Sequence, residues 1–263
     1  GLNYELRDAH GDVVVARTGN LNDLGRRRLE AGQHTLRVLG EGASVGSYGF
    51  RLVTPSDASA SIAIGNAVDV AIDVAEQRAY TFTASEGQRV FLDYISSSAS
   101  TLLNWRLSDP RGRDLLAWTT SVGDVGPFIL GAGEHTLEVR GEGATVATLQ
   151  FAVLDVTDPA PEDVAVGNTL EGELTVPGQS ASFSFSATSG QRLYLRQVAS
   201  SNLYGLNYQL SDSLGRLVVP RTTNLLSSGP YLLVGGDYTL TVVGEGGNVG
   251  TFSLELVEVT NAS

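Results

Sequence analysis

Four carboxylates fall close together at Asp155, Asp158, Glu162 and Asp163. Oxygen ligands drawn from both sides of a joint between domains suit a calcium ion, which takes about six to eight of them. The regular Asp-x-Asp-x-Asp spacing of a calcium loop is missing, so a solvated acidic linker stands as the alternative. Three imidazoles are present, His10, His34 and His135, and no Cys. Thiol chemistry, disulfides and cysteine zinc sites are thereby excluded. A phosphate loop of the Gly-Lys kind is excluded as well, since every one of the 17 cations is Arg. The last candidate is Trp118, an indole expected to be exposed and able to stack on a sugar ring or on a partner chain.

The elements that position these residues come from an internal repeat. Leu2-Asn3-Tyr4-Glu5-Leu6 returns as Leu103-Asn104-Trp105-Arg106-Leu107 and as Leu206-Asn207-Tyr208-Gln209-Leu210, at offsets of 101 and 103 residues. The block from Ala31 to Gly42 reappears from Ala132 to Gly143 and, more diverged, from Gly235 to Gly246. A period of about one hundred residues is too long for a solenoid unit, so each copy is a domain with its own core. The same offsets place Trp118 where the other copies carry Arg17 and Arg221, positions that favour solvent. They also align His34 and His135 with Tyr238, an exchange no zinc ligand would accept. Strand context puts these two histidines on the solvent side or the rim. The third copy has no His, which removes a Ser-His-Asp mechanism from the repeat.

The second copy has a first half from about Ile64 and the third has one from Val166, but the first copy starts at Gly1, the position equivalent to Leu102. The expected organisation is a C-terminal half-repeat over 1–56, a complete repeat over 57–158 and another over 159–263. Pro, small and acidic residues at Thr54–Asp57 and Asp155–Asp163 mark the junctions. Two prolines in the second junction favour an extended, semi-rigid spacer.

Period-two alternation runs through each copy, with Leu2, Tyr4 and Leu6 against Asn3, Glu5 and Arg7. Leu36 and Val38 repeat it, as do Tyr48, Phe50 and Leu52. Gly-rich turns separate these runs every eight to twelve residues, the spacing of antiparallel sandwiches. In Asp109-Pro110-Arg111-Gly112, Asp caps the turn, Pro fixes its second position and Gly supplies positive φ. Asp8 and Asp212 hold the same place. The fold class is all-β, as tandem antiparallel sandwiches.

The unit reading Ile-Gly-Asn, Tyr-Thr-Phe, Gly-Gln-Arg-Val-Phe-Leu, Leu-Asn-Trp-Arg-Leu-Ser-Asp-Pro-Arg-Gly and Ala-Gly-Glu-His-Thr-Leu-Glu-Val resembles the bacterial pre-peptidase C-terminal domain, in the tandem form found in large secreted surface proteins. The resemblance covers nearly the whole chain through turn and core patterns. It implies a jelly-roll-like sandwich with an extracellular, non-catalytic role as spacer or binding module, and it carries no catalytic residue.

Composition fits that setting. The net charge of −12 opposes nucleic acid, and 42% hydrophobic against 17% charged residues is too apolar for a disordered chain. No apolar run approaches the ~18 residues of a membrane-spanning helix. A chain opening at Gly1 without Met is expected to have been processed or cut from something longer. The half-repeat would leave Leu2, Tyr4 and Leu6 on an uncovered edge, to be completed by upstream residues or by another copy of the chain. The function expected is a surface or filament component acting through spacing, adhesion or self-assembly. A carbohydrate- or protein-binding accessory module of a secreted hydrolase, with Trp118 in a shallow site, is the competing class.

Overall fold

A computed structural model describes residues 1–260. The half-repeat contributes β1 (Leu2–Arg7), β2 (Val13–Val15) and β3 (Thr35–Gly40). The second repeat runs through β4 (Ala58–Ser61), β5 (Ala67–Ile72), β6 (Gln77–Ala84), β7 (Arg89–Ser97), β8 (Leu103–Ser108), β9 (Asp114–Leu116), β10 (Val125–Ile129), β11 (Gly133–Gly141) and β12 (Ala147–Asp155). The third follows with β13 (Glu162–Asp163), β14 (Thr169–Leu174), β15 (Ser180–Ala187), β16 (Arg192–Ser200), β17 (Leu206–Asp212), β18 (Leu217–Val219), β19 (Ser228–Leu232), β20 (Gly236–Gly244) and β21 (Gly250–Glu258). A single 3-10 turn at Ser100–Leu102 is the one helical element among the described residues, and no helix is long and apolar enough to cross a membrane.

Each complete repeat is a β-sandwich. In the second, a five-stranded sheet β4-β6-β11-β8-β9 faces a four-stranded sheet β10-β7-β12-β5. The third repeats this as β13-β15-β20-β17-β18 over β14-β21-β16-β19. The alternating apolar residues meet between the sheets: Leu107, Leu137, Val139, Val90, Leu92 and Val153 are 0% exposed. Phe151 of β12 reaches across to Tyr80 at 5.4 Å and Trp105 at 6.4 Å, both edge to face. The Asp109 turn closes as the sequence dictates: Asp109 Oδ1 accepts the backbone N–H groups of Arg111 and Arg113 at 2.9 Å, and Gly112 sits at φ +75°.

Two features depart from the sequence reading. The junctions are more than extended spacers, because β4 and β13 add parallel edge strands to β6 and β15 and so belong to the sheet that follows them. Ala58–Ser61 alternates only Ala with Ser and Glu162–Asp163 is two acidic residues, so neither carries a large apolar face to announce a strand. His135 is fully buried and not on a rim, its ring stacked on Phe82 at 5.7 Å, and Tyr238 stacks on Phe185 in the same way at 5.6 Å. The position takes any flat ring that covers the neighbouring phenylalanine.

The half-repeat supplies a three-stranded sheet, β2-β1-β3, equivalent to β9-β8-β11. Strand β1 is therefore no edge. It pairs with β2 and β3, Tyr4 is only 9% exposed, and Leu2 and Leu6 are half-buried. The uncovered apolar stripe lies later, in the stretch corresponding to β12, where Tyr48 is 57%, Phe50 54% and Leu52 85% exposed. That stretch forms no strand, because the two strands that flank β12 in a complete repeat have no counterpart beside it.

Candidate functional site

The junction between the second and third repeats is built from an ion pair, side-chain hydrogen bonds and close backbone approach. Arg89, opening β7, places Nη1 2.5 Å from Asp158 Oδ2 and donates from Nη2 to the Gly178 carbonyl at 2.9 Å. Asp158 also accepts from Ser180, the backbone N–H reaching Oδ1 at 2.8 Å and the hydroxyl reaching Oδ2 at 2.9 Å. Gln179 donates to the Thr157 carbonyl at 2.6 Å. A carboxylate that receives a guanidinium and two further donors is well compensated for its partial burial.

Backbone geometry completes the joint. Gly178 adopts φ +84°, and a β-carbon on it would stand 3.1 Å from Phe91 Cδ2 and 3.3 Å from Pro127 of the preceding repeat. A β-carbon on Gly247 would collide with Asp124. Both glycines are therefore sites of close approach between repeats.

The junction ahead of the second repeat reuses the same positions. Asp57 stands for Asp158, accepts the Gln77 backbone N–H at 3.1 Å and pairs with Arg26 at 2.5 Å. Arg26 holds the place of Pro127, and Ala75, at φ +58°, holds the place of Gly178. Ala75 is the sole non-glycine at positive φ among the described residues.

The acidic residues singled out from sequence take separate roles. Asp155, ending β12, accepts from Gln88 at 2.7 Å and from the Thr157 hydroxyl at 3.0 Å. Asp158 belongs to the ion pair, while Glu162 and Asp163 lie exposed in β13. Among the described residues no three His, Asp or Glu side chains are grouped to hold a metal ion.

Trp118 is half-buried, with the Arg140 guanidinium 4.0 Å from its ring centroid. In the other repeats Arg17 and Arg221 stand at the position of Trp118, and Leu39 and Val243 at that of Arg140. Those two arginines donate to Asn3 and Asn207. Ser44 lies in a Gly-x-Ser-x-Gly sequence, Gly42-Ala43-Ser44-Val45-Gly46, but it sits in the turn after β3 with its hydroxyl accepting from the Gly1 amine at 3.0 Å. No nucleophile elbow is formed, because no helix follows it.

Charge is perturbed at turns and at one strand. The Arg113 backbone N–H holds the Asp109 carboxyl below its ordinary range, against partial burial and helped by the Arg113 side chain. Arg216 does the same for Asp212. Asp93 moves the other way, raised first by burial and then by the Asp124 charge.

Sequence reasoning missed Arg89, Asp57, Arg26 and Gly178. The available signal was the repeat itself, since Asp57 and Asp158 align, as do Arg89 and Arg192.

No known protein family matches the chain. No curated protein does either. Among solved structures, the pre-peptidase C-terminal domain of a Bacillus anthracis collagenase is 14% identical, covering 36% of this chain and 93% of that domain, with a TM-score of 0.29. PliG of Aeromonas hydrophila, a periplasmic inhibitor of g-type lysozyme, is 17% identical over 39% of this chain and all of its own, at 0.31. The CUB1-EGF-CUB2 segment of human MASP-1/3 is 7% identical over 73% of this chain and 99% of its own, at 0.23. These likenesses are too low to carry a functional argument, and the all-β sandwich fold rests on the strands and cores described above.

Proposed function

We propose that this chain is a stretch of an extracellular structural array, in which β-sandwich repeats act as spacers and the joints between them set the direction of the array. The observation that carries this reading is the recurrence of one joint. A linker aspartate caps the first residue of a sheet strand in both places, and an arginine of the preceding repeat pairs with it. A protein whose task is reach needs joints that resist bending; a charge pair supplies that resistance at both, and the close contacts of Gly178 and Gly247 add to it at the second. Catalysis has no part in this reading, and an extracellular setting agrees with the absence of Cys.

The reading of a carbohydrate-binding module is less well supported by Trp118, because Arg140 lies over its ring and takes part of the surface a sugar would need. The test is small-angle scattering with light scattering over a range of concentrations. The spacer reading expects an elongated particle of fixed length and no stabilisation by glycans. A rise in melting temperature with a glycan, lost in Trp118→Ala, would replace it with the binding module.

A further inference from the structure

We infer that the open face of the half-repeat is a docking surface for the first half of a repeat of this same type, a segment with the strand pattern of residues 57–101, running directly into Gly1. The inference rests on the reading of the chain as a repeat array, and the rest of the chain shows what covers such a face. In the second repeat, β6 pairs with β11 from Gly133↔Ala84 to Arg140↔Gln77, and β5 and β7 flank β12 on either side. The third repeat has the same three pairings. The half-repeat has the acceptor of each and the donor of none.

Four observations mark the surface as unfinished. Strand β3 pairs with β1 alone, so the edge used by β11 toward β6 is open. Leu36 and Val38 are half-exposed where Leu137 and Val139 are completely buried. Asp124 and Ser227 each accept a backbone N–H of the missing type of strand, from Tyr94 and Gln197 at 2.9 Å, while the equivalent Asp23 accepts no hydrogen bond from any described residue. Between the sheet and the stretch at 49–53 lies an open groove of about 370 Å3, lined by Tyr4, Leu6, Val15, Leu36, Phe50 and Leu52.

The point of entry is fixed by the repeats. Only residues 98–102 join β7 to β8, and only residues 201–205 join β16 to β17. The covering segment therefore ends beside the position that Gly1 holds, and Gly1 already makes the backbone contact of Leu102, accepting the Glu41 N–H at 2.9 Å as Leu102 accepts that of Glu142. A second copy of the chain is a poorer occupant. Every strand of the first-half type among its described residues is already paired within its own repeat, so donating one would open a finished sandwich.

The experiment fuses residues 57–101, or in a second version residues 160–204, ahead of Gly1 of the whole chain and follows hydrogen exchange. In at least one fusion the amides of Thr35–Gly40 and Tyr48–Leu52 are expected to slow by about 100-fold or more relative to the unfused chain, as they become part of a cooperative core. Unchanged exchange in both fusions would overturn the inference, and using two donor halves guards against a mismatch of one core. Protection already present in the unfused chain, growing with concentration alongside a dimer, would also overturn it by giving the face to a second copy. None of these outcomes touches the joint between the second and third repeats, so the spacer reading stands or falls separately on scattering.

Discussion

Arg89 holds Asp158 at 2.5 Å across the joint between two sandwiches, so that one side chain of the second repeat sets where the third begins. Replacing Asp158 with Ala removes the ion pair and leaves the Ser180 N–H and hydroxyl without their acceptor. The expected cost is about 1–2 kcal/mol, above that of an exposed pair because several donors lose one partner. Arg89→Ala should cost less in stability and more in direction. With no native Cys, Arg111→Cys and Leu214→Cys label equivalent turns of the two repeats without competition. Electron-spin distances between the labels should broaden in either joint variant, and an unchanged distribution would show that the pair does not steer the joint.

Gly178→Ala tests the close approach directly. The position lies at positive φ, where a β-carbon costs about 1–2 kcal/mol, and that carbon would press on Phe91 at 3.1 Å. Ala75 occupies the same turn one repeat earlier, opposite Arg26 instead of Pro127, which shows that the turn tolerates Ala where the facing surface differs. The loss should therefore exceed the backbone strain alone and be accompanied by a shifted label distance. A loss without any shift would assign Gly178 to the turn and not to the joint.

The repeat and its alternation made the sandwiches legible, since Leu107, Leu137 and Val139 had to face one side and do. The joint was harder to read because Arg89, Asp158 and Gly178 look like ordinary surface and turn residues until two repeats are placed end to end. The edge expected at Leu2, Tyr4 and Leu6 is absent for a different reason. Alternation says which face of a strand is apolar but not whether its edges are paired, and β1 has partners on both sides. Arg at the position of Trp118 in the other repeats points to an exposed indole, whereas Arg140 of β11 lies over the ring and covers it. His135 has the strand parity of Leu137 and Val139, so the alternation itself places it on the buried face, against the expectation of a solvent-side or rim position.

His135→Tyr should stabilise the second repeat. The imidazole leaves Nε2 buried without a partner, whereas Tyr238 in the equivalent site donates to the Val234 carbonyl at 2.8 Å and accepts the Val234 N–H at 3.1 Å. Gly131 offers the corresponding backbone, and two hydrogen bonds gained against the His135 Nδ1 contact with the Gly133 carbonyl given up leave about 1 kcal/mol. Both tryptophans, Trp105 and Trp118, lie in this repeat, so their fluorescence during urea unfolding follows it alone. A lower midpoint in the Tyr variant would mean that the pocket around His135 is too tight for a phenol.

Asp93→Asn should also stabilise the second repeat, in a manner that depends on pH. Burial raises the Asp93 carboxyl above its ordinary value, and the Asp124 charge adds to the rise. Folding then favours the protonated form. The penalty is absent below the unfolded value of about 3.9 and grows as pH climbs, becoming complete once pH passes the raised folded value. The third repeat avoids it by placing Arg196 and Ser227 at these positions, with Arg196 paired to Glu255. Asn at 93 should thus give nothing in strong acid and its full gain at neutral pH, below about 1 kcal/mol because the site is partly solvated. Urea midpoints at pH 3 and pH 7, read again by tryptophan fluorescence, decide the matter, and a gain of equal size at both would assign the effect to packing instead of charge.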